Sequence, residues 1–281
     1  MRRRPNGANH QATPRPGRNP RRRWAFTAGG LVLGLVAAII LLAWLIGPSP
    51  RPAQPPAAAT TTQPPLPASA CLTGGGVAIG AGDDAQRVVN GHPPGTTYIV
   101  KAGIHLRNFS VQPKSGDTFC GEPGAVLDGG RSLPSAFSGG ASNVTLDSIT
   151  VRDYESGVQG AAIQPESRAS GWVVRNVSAL HNSWAGLLVA DGMRILGGHY
   201  NDNDQLGIGG NEATGIVLDG LDGDPATLDG PELARNHTLR APCEFEGGGM
   251  KWDVGQVTVR NAYVHDNDCR GLWPTATPTT R

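Results

Sequence analysis

The chain has 281 residues, of which 40 are glycine, and this glycine content argues against helical or leucine-rich repeats. Its formal net charge of +1 conceals two parts: eight arginines and no acid in residues 1–23, and 16 basic against 23 acidic residues in the remainder. The remainder, with a net charge of −7, disfavours a lyase or epimerase of uronates, because such an enzyme would need a cationic groove for its polyanionic substrate.

The first predicted element is a transmembrane helix at residues 24–46, which carry no charge. At 1.5 Å per residue this run is long enough for the roughly 30 Å hydrocarbon core of a bilayer. The arginines of residues 1–23 then predict a cytoplasmic tail, an extracellular C-terminal domain and a cell-membrane localisation. A cleaved signal peptide is the alternative, although its apolar region is normally only about 7–15 residues long. A nucleic-acid role for the tail is disfavoured by its position directly before the apolar run.

A linker rich in proline, alanine and threonine follows at residues 47–70, and such a composition favours extended conformations. Residues 71–281 are enough for one domain. All four cysteines lie in this part, where an oxidising exterior would permit disulfides in any of three connectivities. A cysteine-ligated metal site is disfavoured because the sequence has no Cys-x-x-Cys or Cys/His cluster.

The domain contains a repeat with five apolar anchors at Leu146, Val174, Ile195, Val217 and Val259. The gaps are 28, 21, 22 and 42 residues, and we interpret the last as two units with one degenerate copy between them. Three copies share an asparagine eight residues after the anchor and a glycine twelve residues after it, at Asn182, Asn203 and Asn267 and at Gly186, Gly207 and Gly271. A period of this length with alternating β-branched residues predicts a solenoid of short strands.

Each unit is predicted to be one coil of a parallel β-helix, stacked on the next at about 4.8 Å. Asparagines of one column would then form a ladder, each amide bonding the coils above and below. The glycines would relieve the bend between strands. The similar stretches at residues 175–188 and 260–273 are interpreted as coils four units apart.

With these features, residues 75–273 resemble the right-handed parallel β-helix proteins of the pectin-lyase-like superfamily. Residues 82–106, "GDDAQRVVNGHPPGTTYIVKAGIHL", resemble the first coil of that superfamily, with a cap helix opened by Asp83 or Asp84 and then the first two strands. The resemblance implies an all-β, right-handed parallel β-helix at residues 71–273, preceded here by the transmembrane helix and the Pro-rich linker. It implies polysaccharide lyases, hydrolases or epimerases as well as non-catalytic adhesins.

In this architecture the cysteine pairs Cys71–Cys120 and Cys243–Cys269 would each be local, and we predict these two disulfides. The last residues, 274–281, show no strand pattern and are predicted to be an irregular tail. We therefore expect a truncated product that has lost later coils, which could include the active site.

A carboxylate ladder is the first candidate site. Asp191 and Glu212 stand seventeen residues after their anchors, and Asp253 reaches a similar place in the degenerate unit. Stacked carboxylates repel unless a cation or a shared proton intervenes, so this ladder could bind Ca²⁺ or supply an acid–base pair to a glycosidic bond. The alternative is that each carboxylate lies in a solvated turn.

A second column contains His181, Asp202 and Asp266, seven residues after the anchors. His181 and Asp202 would be neighbours, and the carboxylate would tune the imidazole for proton transfer. The alternative is that these residues are ordinary polar turns of a β-helix.

The third candidate is the segment "CEFEGGGMKWD" at residues 243–253, which combines acids, a lysine and an aromatic residue around three glycines. Lys251 could act as a base or neutralise a uronate carboxylate in β-elimination. Glu246, Trp252 and Trp273 are predicted to bind the substrate, the indole rings as stacking surfaces for sugars.

The sequence thus predicts a membrane-anchored extracytoplasmic β-helix protein that binds or cleaves a polysaccharide or cell-envelope glycan, as a lyase or glycoside hydrolase if it is an enzyme. Neutral or Ca²⁺-bridged glycans suit its acidic domain better than free polyanions. The alternatives are a non-catalytic surface adhesin or envelope structural protein, and an inactive truncated product.

Overall fold

The computed structural model describes residues 70–210, 213–221, 229–253 and 255–275. Within them the fold is an all-β parallel solenoid of about eight turns with right-handed-type crossovers. The helical residues of this part are one α-helix, α1 (Ala85–Asn90), and two 3₁₀ turns (Ala70–Gly74 and Cys243–Phe245). No helix among the described residues is both long and apolar enough to cross a bilayer. The predicted tail, membrane helix and nearly all of the linker lie outside the described residues.

The strands, numbered in chain order, stack into three parallel sheets. The first sheet contains β1 (Val77–Ile79), β2 (Thr97–Val100), β4 (Thr118–Gly121), β7 (Thr145–Asp147), β10 (Val173–Arg175), β13 (Arg194–Leu196), β16 (Ile216–Asp219) and β19 (Val257–Val259). The second contains β3 (Gly103–Leu106), β5 (Ala125–Asp128), β8 (Thr150–Arg152), β11 (Ser178–Leu180), β14 (His199–Asn201), β17 (Glu232–Ala234) and β20 (Tyr263–His265). The third contains β6 (Phe137–Gly139), β9 (Ala161–Pro165), β12 (Ala185–Leu188), β15 (Leu206–Gly209), β18 (Gly248–Trp252) and β21 (Arg270–Pro274).

The predicted cap helix is confirmed as α1. The Asp84 carboxylate accepts a hydrogen bond of 3.1 Å from the Arg87 backbone N–H, which is the usual way to satisfy a free amide at a helix start. The helix buries Ala85 and Val89 against the core at the N-terminal end of the solenoid. One strand, β1, precedes the helix, so the two strands predicted to be first are the second and third of the chain.

The anchor column of the first sheet is confirmed except at one residue. The stacked column is formed by Leu146, Val174, Ile195, Leu218 and Val259. The prediction of Val217 was wrong, because Ile195 pairs with Leu218 and the corner between them is one residue longer than assumed. A strand alternates its faces at every residue, so Leu218 is buried in the core while Val217 is half-buried.

The prediction of two units between Val217 and Val259 was also wrong, because β16 pairs directly with β19. One turn spans these residues: β16 and β17 are separated by residues 220–231, of which 222–228 lie outside the described residues, and a long corner at residues 235–247 separates β17 from β18. Residues of a corner are not bound by strand register, so a corner can lengthen without disturbing the stacked strands. The similar stretches at residues 175–188 and 260–273 are therefore three turns apart rather than four.

The asparagine ladder is confirmed, and it has a fourth member, Asn236, between Asn203 and Asn267. The Oδ1 atoms of Asn203, Asn236 and Asn267 each accept two hydrogen bonds of 3.0 to 3.1 Å from the preceding asparagine, one from its backbone N–H and one from its Nδ2. Each Nδ2 also donates to a backbone carbonyl, as from Asn203 to Ala179 at 3.0 Å. Asn182 and Asn203 are fully buried, so the ladder satisfies polar groups inside the solenoid.

The glycine column runs through Gly186, Gly207, Gly249 and Gly271, and its role differs from the predicted relief of a bend. These glycines lie within the strands of the third sheet. A Cβ on Gly249 would lie 2.4 Å from the backbone oxygen of Gly271, and one on Gly186 would lie 2.9 Å from that of Gly207. The column therefore allows successive coils to approach closely.

The predicted disulfide between Cys243 and Cys269 is confirmed, with the two Cα atoms 5.6 Å apart. Cys120 is buried and disulfide-bonded as well. The Cys71 side chain, its predicted partner, lies outside the described residues.

Candidate functional site

A groove of about 610 Å³ opens where the strands of the third sheet end, and we call it the third-sheet groove. Its walls are formed by Pro165, Glu166, Ser167, Ala169, Leu188, Val189, Ala190, Asp191, Ala213 and Asp253. Three of these residues carry carboxylates. Asp191 and Asp253 were predicted, whereas Glu166 was not, because it lies at the exposed end of a coil that shares no polar pattern with theirs. Glu212, the remaining predicted carboxylate, lies outside the described residues.

Asp191 is held in the groove wall by the coils on both sides. Its Oδ1 accepts a hydrogen bond of 2.7 Å from the Thr214 backbone N–H. Its backbone oxygen accepts another of 2.7 Å from Gly171 in the preceding coil. The carboxylate is thereby placed by the backbone of the solenoid rather than by a mobile side chain, which suits a ligand-binding group.

Lys251, on β18, connects the groove with the outer face of the third sheet. Its Nζ contacts Glu246 and lies 3.4 Å from the Asp253 carboxylate in the groove wall. Burial alone would lower the pKa of Lys251. The hydrogen bond and charge of Glu246, together with Asp253, outweigh it and raise this pKa above its usual value. Lys251 is therefore held as an ammonium, which favours the predicted charge-neutralising role over the role of a base.

Trp273 lies beside Lys251 because β18 and β21 pair with these two residues in register. The Lys251 Nζ lies 5.4 Å from the Trp273 ring centroid, and the Arg270 guanidinium carbon lies 4.3 Å from it. Such contacts between a cation and an aromatic ring contribute about 0.5–1 kcal/mol at exposed sites. Both tryptophans are half-buried, but Trp252 packs against the core whereas Trp273 is not part of the core cluster, so Trp273 is the better stacking surface.

His181 and Asp202 belong to a different corner, between the second and third sheets. Both have left-handed backbones, with φ of 55° and 57°, so their column forms a tight turn. The backbones of the two coils are neighbours there, as predicted. The Asp202 carboxylate, however, forms a bidentate ion pair with Arg235 of the following coil, with both distances 2.9 Å.

The second sheet carries a cluster that no sequence pattern predicted, with Glu232 between His199 and His265. Glu232 Oε2 lies 2.7 Å from His199 Nδ1, and Oε1 lies 2.9 Å from His265 Nε2. Partial burial alone would raise the pKa of Glu232. Hydrogen bonds from Asn201 and the two imidazoles outweigh it and lower this pKa to about 2. For His265, burial is outweighed by its bonds with Asp266 and Glu232, which raise its pKa.

The stability of the later coils should consequently depend on pH. The depressed pKa of Glu232 contributes stability that is complete above 4.5 and is lost as the pH falls towards about 2. The raised pKa of His265 contributes stability that is complete below 6.5 and is lost as the pH rises through the folded-state value. We expect the free energy of unfolding, measured by urea unfolding, to be highest between these limits and Glu232→Gln to lower it there by roughly 1–2 kcal/mol after solvent screening. An unchanged pH profile in Glu232→Gln, judged against exposed Glu155→Gln, would contradict this.

No protein-family model matches this chain, and no curated protein matches it either.

Proposed function

We propose that the chain is a carbohydrate-binding β-solenoid of the pectin-lyase-like type, which binds or cleaves a polysaccharide along the third-sheet groove. The observation that carries this proposal is the groove of about 610 Å³ with Glu166, Asp191 and Asp253 in its walls. Its volume lies within the roughly 300–1,000 Å³ of typical ligand pockets. The Lys251–Trp273 pair stands directly beside it on the same sheet.

The groups at this site match the chemistry of a sugar chain. Carboxylates accept hydrogen bonds from sugar hydroxyls, and an indole ring covers the apolar face of a pyranose. The parallel coils repeat such groups along the solenoid axis, so an extended chain can meet several of them in succession. A linear polysaccharide fits this arrangement better than a small metabolite does.

The charges favour a neutral glycan. Lys251 is neutralised by Glu246 and Asp253, and Glu166 and Asp191 add further negative charge to the groove. A free polyuronate would be repelled unless a cation bridged it to the protein, and carboxylate oxygens are ligands that Ca²⁺ prefers. Calcium-dependent binding stays a prediction. If the protein is an enzyme, Asp191 and Asp253 are the candidate acid–base pair of a glycoside hydrolase.

A non-catalytic surface adhesin is the second candidate. It is favoured by the ion pairs of Lys251, which leave this residue protonated rather than available as a base. Both candidates share the proposed location outside the cytoplasm, anchored by residues 24–46, where the Cys243–Cys269 disulfide would be stable.

The test measures binding of the full chain to an array of neutral and uronate glycans, with and without calcium. We expect Trp273→Ala and Asp253→Asn each to weaken binding to the best neutral glycan at least tenfold, which corresponds to about 1.4 kcal/mol. Tyr263→Ala and Asp266→Asn are the matched controls, because they remove an exposed aromatic ring and an exposed carboxylate from another sheet. Both controls should bind like the unaltered chain.

A reducing-end assay on the bound glycan then separates the two candidates. New reducing ends that disappear in Asp191→Asn would identify a glycan-cleaving enzyme, whereas binding without new ends would identify an adhesin. Absence of glycan binding in the unaltered chain, or equal losses in the Tyr263 and Asp266 controls, would refute the proposed site.

A further inference from the structure

A buried histidine faces the disulfide that ties the long corner at residues 235–247 to the following coil. The His237 Nδ1 lies 3.1 Å from the Cys269 Sγ and 3.2 Å from the Asp268 Oδ2. The Cys243 Sγ completes a group of donors, since it, the Cys269 Sγ and a His237 ring nitrogen all lie within 4.8 Å of one another. The sequence predicted no Cys/His cluster, because these donors come together only when the corner folds back on the next coil.

The surrounding backbone is shaped around this imidazole. His237 is only 1% exposed and has a left-handed backbone with φ of 73°, a conformation that a histidine seldom adopts without a compensating contact. A Cβ on Gly247 would lie 2.6 Å from two carbons of the His237 ring, so only glycine leaves space for the ring there. A buried ring in a strained and fitted position is a built feature rather than a surface residue that happens to lie near sulfur.

We propose that reduction of the Cys243–Cys269 disulfide by a thiol reductant converts this cluster into a Zn²⁺ site. In the first step two reductant thiols pass two electrons to the disulfide, giving two cysteine thiols and one reductant disulfide. Zn²⁺ then binds both sulfurs, each of which releases its proton to water, together with the neutral His237 Nδ1. The Asp268 carboxylate is the fourth ligand, so the donor set is two sulfurs, one nitrogen and one oxygen.

The geometry suits this metal with a small movement on the histidine side, whereas the two sulfurs, bonded to each other in the disulfide, must separate to roughly 3.8 Å after reduction. Zinc–sulfur bonds of about 2.3 Å and zinc–nitrogen bonds of about 2.0–2.1 Å place tetrahedral nitrogen and sulfur donors roughly 3.6 Å apart. The present separation of 3.1 Å between His237 Nδ1 and Cys269 Sγ therefore needs to widen by only about half an ångström. The Cys243 side is exposed and can move outward, whereas His237 is fixed by its burial.

The metal would replace one link with another at the same place. Cys243 begins the 3₁₀ turn that leads to Glu246, the ion-pair partner of Lys251 beside the groove. Either the disulfide or the zinc ion would tie this corner to Cys269, so Glu246 would keep its position in both redox states. This inference does not depend on the proposed glycan binding, and its test uses no glycan.

The test measures zinc retained by the full chain after gel filtration, before and after reduction with a water-soluble phosphine. The phosphine removes the disulfide by becoming a phosphine oxide. We expect about one zinc ion per reduced chain and none per oxidised chain. Cobalt added to the reduced chain should give the intense absorption of tetrahedral thiolate-bound Co²⁺, which a purely structural histidine could not produce.

Three variants locate the metal. Cys243→Ser should abolish zinc retention, and His237→Ala should weaken zinc affinity at least tenfold. His265→Ala, which removes a histidine from the second sheet, should retain zinc like the unaltered chain.

Since His237→Ala empties a buried site, a far-ultraviolet circular dichroism spectrum checks its fold. Asp268→Asn, at a half-exposed residue, gives an independent readout by changing the cobalt spectrum. Absence of zinc from the reduced unaltered chain, or zinc that survives Cys243→Ser, would overturn the proposal.

Discussion

Replacing Asn203 by alanine is expected to lower the free energy of unfolding by about 3 kcal/mol or more. Its Oδ1 accepts hydrogen bonds from the backbone N and the Nδ2 of Asn182, and its Nδ2 donates to Ala179 and Asn236. Asn203 is fully buried, so water cannot replace these bonds, and each buried group left without a partner costs about 1–3 kcal/mol. Urea unfolding followed by circular dichroism measures the loss.

The matched control is Asn90→Ala at the exposed end of α1, where the asparagine accepts one hydrogen bond from Gln86. We expect a change within about 0.5 kcal/mol, as is usual for surface substitutions. If Asn203→Ala were as mild as Asn90→Ala, the ladder would not be a stabilising element of this solenoid.

Replacing Gly248 by alanine should be at least as damaging and should also remove glycan binding. The new Cβ would lie 1.8 Å from the backbone oxygen of Arg270, and the glycine has a φ of 131°, which other residues rarely adopt. Overpacking and backbone strain each cost about 1–3 kcal/mol, so we expect a loss of roughly 3–5 kcal/mol. Because β18 and β21 must separate, Lys251 and Trp273 would lose their common position beside the groove.

Urea unfolding and the glycan array together check this prediction. Gly157→Ala is the control, since its Cβ would meet no atom within 4 Å and its φ is not in the left-handed region. It should remain within about 1 kcal/mol of the unaltered chain and keep its glycan affinity. Similar behaviour of the two alanine variants would mean that the close approach of β18 and β21 is not required.

The regular coils were predictable because neighbouring turns have the same length. Val174 and Ile195 are 21 residues apart, so counting from them also aligned Asn182 with Asn203, and the structure confirms this alignment. Counting failed at Val217 because Ile195 and its partner Leu218 are 23 residues apart, one more than the assumed 22, and a shift of one residue exchanges the two faces of a strand. Periodicity locates coils, but strand register also requires the length of every corner.

The long turn between β16 and β19 contains two further features that the repeat did not predict. Assigning it to two units displaced Asn236 from the asparagine column, although a core-type residue stands three positions before it, Leu233, just as Tyr200 stands three positions before Asn203. The same corner brings His237 to the disulfide, and no fixed spacing predicts that contact, because an inserted loop follows no period. For this turn, the hydrogen-bonding capacity of its side chains would have been a more useful signal than the count of residues.

The candidate site was predicted in part. Counting placed Asp191 and Asp253 together at the end of the third sheet, and both line the groove. The same counting put His181 and Asp202 in another corner, and Arg235 of the long turn is a partner of Asp202 that the repeat did not predict. Columns ten residues apart within a 21-residue coil lie at different corners, so they cannot form one site unless the substrate wraps around the solenoid.

The asparagine ladder makes the solenoid electrically directional. In every step the carbonyl end of the side-chain amide faces the earlier coil and its Nδ2 donates to the later one, from Asn182 through Asn203 and Asn236 to Asn267. Aligned amide groups polarise one another and add their dipoles head to tail, as peptide groups do along an α-helix. The interior thus carries a partial positive charge towards the later coils, the same coils in which Asp266 and Asp268 place compensating negative charge at the surface.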